Sequence, residues 1–272
     1  MRIGRRWTGK EGVTLTELLV TVVVIALLVS LLGPTLSQSR QRARLAACLN
    51  NLRQLQIAWL NYVDDYSGML PPNTSEFSNG VWRSDVDTWA GPSSALFDQN
   101  SRMIMRGLFF RLGYFQSVAG FVCPSDEGSV LDERRQAMEL SRTRSYSMNG
   151  SLGGRESEVQ PVVNHDRTIS APARLFVFID EHQESIDDGH FLVWPLPDSR
   201  WVNLPADRHD GKGVLSFADG HVESWKWKAR KSFSGRESYW KRAKSEAELR
   251  DLRRLQTADF GFRDIRNYQP QN

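Results

Sequence analysis

The sequence predicts an α+β fold in which one long N-terminal helix packs on an antiparallel β-sheet head. Three observations carry that prediction. Val13–Leu32 is a twenty-residue run whose only charge is Glu17. Leu45, Leu49, Leu52, Gln56, Trp59, Val63 and Tyr66 then recur at alternating spacings of three and four, the pattern of one helix face. Further on, Gly213–Ala218 and His221–Trp227 flank Asp219-Gly220, a strong hairpin signal.

Taken in order, residues 1–12 form a basic leader, with Arg2, Arg5, Arg6 and Lys10 set against Glu11 for a charge of +3. The whole 272-residue chain also carries +3, so residues 13–272 are close to neutral, which excludes a generally basic nucleic-acid-binding surface. At 1.5 Å per residue the apolar run extends roughly 30 Å, about the hydrocarbon thickness of a bilayer. Residues 13–36 are therefore expected to span a membrane, with the leader holding the N-terminus in the cytoplasm. The run is too long for a secretory signal peptide and no Ala-x-Ala cleavage pattern follows it. An ionised glutamate inside such a helix costs several kcal/mol or more unless something neutralises it, so Glu17 needs a partner.

Residues 37–66 continue as the amphipathic part of the same helix, with Arg40, Arg42, Arg44 and Arg53 either near lipid phosphates or on a solvated face. Gly68 and Pro71-Pro72 supply the stop signals. Residues 67–272 form the head, and their nine-Trp, thirteen-Phe chain composition marks it as folded. Within it, 73–102 reads as irregular with a short strand around Gly80–Trp82. Met103–Phe115 reads as a helix burying Met105, Leu108, Phe109 and Leu112, and Leu131–Ser141 as another helix. Arg174–Asp180 suits a central strand with Phe191–Trp194 beside it, and the charged tail is helical around Ser245–Gln256.

Gly12-Val13-Thr14-Leu15-Thr16-Glu17 resembles the type III signal of type IV pilins and type II secretion pseudopilins. The resemblance implies cleavage after Gly12 by a prepilin peptidase and N-methylation of Val13, which stands where that family most often has Phe. Pro34 matches a proline common in pilin helices and implies a kink. The resemblance also implies that Glu17 offers its carboxylate to the new N-terminal ammonium of a neighbouring subunit; opposite charges in low dielectric attract strongly. Partners implied are the peptidase, copies of the chain or other pilin-like subunits, an inner-membrane assembly platform and the lipid bilayer. The implied location is the inner membrane, single-pass, with a periplasmic head that reaches the cell surface after assembly. No cofactor and no enzymatic activity are implied. Cys48-Leu49-Asn50-Asn51, Cys123-Pro124-Ser125-Asp126, Ser145-Tyr146-Ser147-Met148-Asn149-Gly150 and Arg208-His209 extend the likeness. They resemble a bacterial pilin-like branch with an H-x9-DG pattern, matched by His209 and Asp219-Gly220.

The head leaves alternatives open. Cys48 and Cys123 are either a disulfide worth ~2–4 kcal/mol or two buried thiols. No metal is assigned, because no His-Glu-x-x-His spacing occurs; Asp180, His209, Asp219 and His221, with Glu181 and His182 nearby in sequence, are the candidates should one bind. A tethered metal-dependent hydrolase would use His209, Asp219 and His221. A carbohydrate-binding module would use Trp194, Trp201, Trp225, Trp227 and Trp240 as a sugar-stacking platform. The plainer reading makes Asp219-Gly220 a hairpin turn, His209 a loop anchor and the tryptophans core.

Overall fold

The computed structural model describes residues 12–78, 80–155, 162–232 and 241–260, apart from the side chains at 29, 31–34 and 260. The leader-charge expectation falls on residues outside that set. The architecture is mixed α+β, and the chain divides into two compact units, Met1–Ala43 and Arg44–Asn272.

In the first unit, Gly12–Thr14 is non-helical and exposed, and α1 (Leu15–Asp65) begins directly after it. Thr14 and Glu17 form a reciprocal cap. The Thr14 N–H donates to Glu17 Oε2 at 2.9 Å, and the Glu17 N–H donates to Thr14 Oγ1 at 3.3 Å, so two of the helix's orphan donors are satisfied. From Val13 to Leu28 the large apolar side chains remain 48–82 % exposed. Among the described residues no helix is long and apolar enough to cross a membrane. This overturns the expected single-pass inner-membrane placement with its cytoplasmic N-terminus and periplasmic head. Pro34 lies inside the helical assignment of α1.

In the second unit, the later part of α1 buries Cys48, Leu52, Leu55, Ala58, Trp59, Tyr62 and Val63. The expected face is correct from Leu52 to Val63, whereas Tyr66 is exposed. The helix stops as the Gly68 signal implies: Gly68, at φ +90°, donates its N–H to Val63 O at 2.7 Å.

Two short hairpins follow, β1 (Ser75–Ser78) with β2 (Val81–Ser84) and, beyond the four-residue α2 (Leu108–Arg111), β3 (Ser129–Leu131) with β4 (Ala137–Ser141). Both helices expected here need correction. Gly107 is extended and splits Met103–Phe115 into a 3-10 turn and α2, leaving Met105 and Leu112 exposed. Its backbone lies against Ala90 and Gly91, where a Cβ would stand 2.6 Å from main-chain atoms. Leu131–Ser141 is a hairpin because the Asp132 carboxylate accepts the N–H groups of Arg134 and Gln136 and turns the chain.

The main sheet contains β5 (Tyr146–Asn149), β6 (Phe176–Asp180), β7 (His190–Phe191), β9 (Lys212–Phe217) and β10 (Val222–Lys226), in the order β10-β9-β6-β5-β7. The central position of β6 and the β9–β10 hairpin agree with the sequence. The sheet is mixed rather than antiparallel throughout, since β5 and β7 run parallel. A small pair, β8 (Arg200–Trp201) with β11 (Lys241–Arg242), precedes α3 (Glu246–Phe260).

Both faces of the sheet are covered. Leu52, Leu55 and Trp59 share one core with Tyr146, Phe178 and Val214. Leu252 and Leu255 of α3 share the other with Phe176, Phe217, Trp201 and Trp225. Between β6 and β9 the register shifts, and the Ser216 hydroxyl fills the gap. It accepts the Phe178 N–H at 3.1 Å and donates to the buried Gln56 Oε1 at 2.7 Å, joining α1 to the sheet.

Asp259, near the end of α3, is fully buried with no hydrogen-bond partner on either carboxylate oxygen among the described residues, and burial lifts its pKa to about 7. A raised carboxyl stabilises the fold most below its unfolded pKa, and that stability is lost as pH rises to about 7. Asp259→Asn should therefore gain stability over the wild type between pH 4 and 7, on the order of a few kcal/mol by the upper end. Thermal melts across that range read it; parallel curves for the two proteins would contradict it.

Candidate functional site

Four elements of the second unit converge on one buried point. Cys48 comes from α1, Cys123 from the loop before β3, Asp180 from the last position of β6, and His209 from the loop before β9. Their ligand-type atoms all lie within 4.8 Å of one another. Both cysteines are free, with Sγ atoms 2.9 Å apart. Cys123 Sγ stands 3.2 Å from His209 Nε2, and Cys48 Sγ lies 3.0 Å from the Tyr146 hydroxyl and 3.8 Å from Asp180 Oδ2. Among the described residues, this is the single group of three or more His, Cys, Asp or Glu side chains arranged to hold a metal ion.

The surroundings explain the geometry. Asn51 Nδ2 donates to Val122 O at 3.0 Å and fixes the Cys123 loop to α1. The Cys123 N–H donates to Ser145 Oγ, which itself donates to Asp126 Oδ2 at 2.7 Å. Arg208 spans the two carboxylates: Nη1 donates to Asp180 Oδ1 at 2.7 Å and Nη2 lies 3.4 Å from Asp126 Oδ1. With one Asp180 oxygen held by Arg208, the other faces the sulfurs.

Burial sets the protonation of these groups. It raises Asp180 to about 6, with Arg208 pulling down and Asp126 pushing up. It works against the Arg208 charge as well, but Asp180 and Asp126 outweigh it and push that pKa up. Burial, helped by Arg208 and Lys212, lowers His209 to about 4, so its imidazole is neutral at pH 7. The Cys48 thiol is pushed well above its ordinary value by burial, then by its hydrogen bond to Cys123 and the charge of Asp180. A protonated Cys48 thiol and a neutral His209 imidazole therefore sit beside the buried Asp180–Arg208 ion pair.

The sequence candidates separate. Asp180 and His209 meet, and the two cysteines join them. Asp219 and His221 belong to the β9–β10 turn, where Gly220 at φ +98° makes the bend. There His221 Nδ1 sits 2.5 Å from Asp219 Oδ1 and its ring stacks on Phe217. The hydrolase trio is therefore not one of the converging groups. Glu181 faces a different buried region, accepting from Ser147, Ser185 and Asn203, while His182 lies beside Glu184.

The tryptophan platform is absent among the described residues. Trp201, Trp225 and Trp227 are buried, with Arg254 covering Trp225 and Lys231 lying between Trp201 and Trp227. Trp240 lies outside the described residues. Tyr146, Asp126, Ser145 and Arg208 were missed as site residues. Each sits inside a quoted motif, so the motifs themselves were the available signal.

Arg208→Leu should leave two buried carboxylates without their cation and cost about 3–5 kcal/mol. Denaturant unfolding measures this, and Arg208→Lys should recover part of it. A loss below ~1 kcal/mol for the leucine variant would contradict the pairing.

The family described as "Protein of unknown function (DUF1559)" matches residues 37–183, from α1 through β6 to just beyond the Asp180 end of that strand. No curated protein and no solved structure matches the chain.

Proposed function

The chain belongs to that DUF1559 family, typical of prepilin-like proteins without being specific to pseudopilins, and from this we propose that it is a pilin-like structural subunit. In this reading a prepilin peptidase cuts after Gly12, Val13 becomes an N-methylated terminus, and copies assemble into a type II secretion pseudopilus or type IV pilus-like fibre. An assembly platform and other pilin-like subunits are the partners. The head carries no bond-making role.

The observation that carries the reading is the apolar surface from Val13 to Leu28, where large side chains stay 48–82 % exposed around the lone charge of Glu17. Apolar surface costs roughly 25 cal/mol per Å² in water, and patches beyond a few hundred Å² mark interaction surfaces. Packing against the same segment of further copies removes that cost. The Gly12–Val13 bond is non-helical, and nothing lies within 4 Å of a Cβ built on Gly12, which suits an extended substrate. Thr14 orients the Glu17 carboxylate through neutral donors and leaves its charge in place. The ammonium of an adjoining Val13 then neutralises it.

Glu17→Leu should leave a folded, accumulating chain but abolish fibre formation, while losing one local cap worth about 1 kcal/mol. Electron microscopy and shear-fraction assays read the fibre. Normal fibres from the variant, with the native head melting temperature, would refute the pairing role.

A further inference from the structure

We propose that Cys48 Sγ, Cys123 Sγ, His209 Nε2 and Asp180 Oδ2 form a structural site for a thiophilic divalent metal ion, with zinc the best fit. The proposal is independent of the fibre reading, because every ligand lies in the second unit. Two sulfurs, one imidazole nitrogen and one carboxylate oxygen are the donor types that tetrahedral zinc takes. All four donors come from the protein and all four residues are buried, so no open position remains for a substrate. That is the form of a structural centre, one that ties α1 to the central strand β6 and two loops of the head.

A disulfide would account for the two sulfurs alone. It would leave a neutral imidazole and a buried carboxylate oxygen facing an apolar S–S bridge, and Arg208 and Tyr146 would have no reason to be aimed at the same point. A metal ion uses all of them. Arg208 holds Asp180 Oδ1 and turns Oδ2 toward the sulfurs, and the Tyr146 hydroxyl lies 3.0 Å from Cys48 Sγ, as outer-shell groups do. Charge also balances closely. Two thiolates and Asp180 are offset by a divalent ion and Arg208, with Asp126 on the far side of Arg208 taking a hydrogen bond from Ser145. Binding displaces the two thiol protons to solvent and opens the sulfurs from 2.9 Å to about 3.8 Å, the edge of a tetrahedron with ~2.3 Å Zn–S bonds.

The test is elemental analysis of the full chain purified with a reductant, followed by zinc titration against a chromophoric chelator. The expected result is one zinc per chain, lost in Cys48→Ser and in His209→Ala and retained in His221→Ala, which alters only the hairpin turn. Cobalt in place of zinc should give thiolate-to-metal charge transfer and the intense visible bands of a tetrahedral centre. If Cys48→Ser fails to fold, Tyr146→Phe removes only the outer-shell hydroxyl and should weaken zinc about 10–100-fold. A folded wild-type chain that binds no zinc overturns the proposal. So does an intact mass two hydrogens light before reduction, which would establish the disulfide, or unchanged affinity in His209→Ala.

Discussion

From Cys48 to Val63, α1 sets Leu52, Leu55, Ala58 and Trp59 against the sheet with at most 1 % of each left exposed, and the head is built on this burial. A helix alone in water gains little from its own hydrogen bonds; its stability comes from the apolar face it packs. Here that face meets Phe178, Val214 and Tyr146, and the buried Gln56 finds its partner in Ser216 at the β6–β9 register shift. The same helix has a first part whose apolar side chains find no such cover among the described residues. One constraint, that apolar surface leaves water, is thus met by the later segment of the helix and not by the first among the described residues.

Packing α1 this closely has a consequence for polar chemistry. Asp180 ends the central strand where no water reaches it, and a buried carboxylate must be paired, hydrogen-bonded or neutral. The chain supplies Arg208 from one loop, and Asp126 from another shares it. Cys48, Cys123 and His209 close the remaining side. The motifs around Cys48, Cys123, Ser145 and Arg208 are far apart in sequence and meet at a single point, which accounts for their chemistry better than four separate roles would.

Much of the architecture was legible. The three-four spacing in α1, the apolar run of β6 and the Asp219-Gly220 turn are local signals, and local signals survive folding. The failures have specific causes. The segment 131–141 has helix-like composition, but Asp132 captures two backbone N–H groups and makes a hairpin. Gly107 breaks an otherwise periodic stretch because another backbone passes against it. β5 is rich in Ser and Asn and buried throughout, since its polar groups are satisfied by distant partners such as Phe176 O for Asn149. The candidate site joins residues up to 161 positions apart, from Cys48 to His209, so no spacing rule could assemble it. The tryptophans read in sequence as core or as a surface platform, and α3 decides it for Trp201 and Trp225, which share a core with Leu252 and Leu255.

The functional account rests on the creation of a new amine beside Glu17. Mass spectrometry of the native protein's N-terminus, isolated from its own cells, tests this most directly. The account predicts a chain that starts at Val13 and carries one added methyl group on its terminal nitrogen. A mature chain that still contains Met1–Gly12 would contradict it.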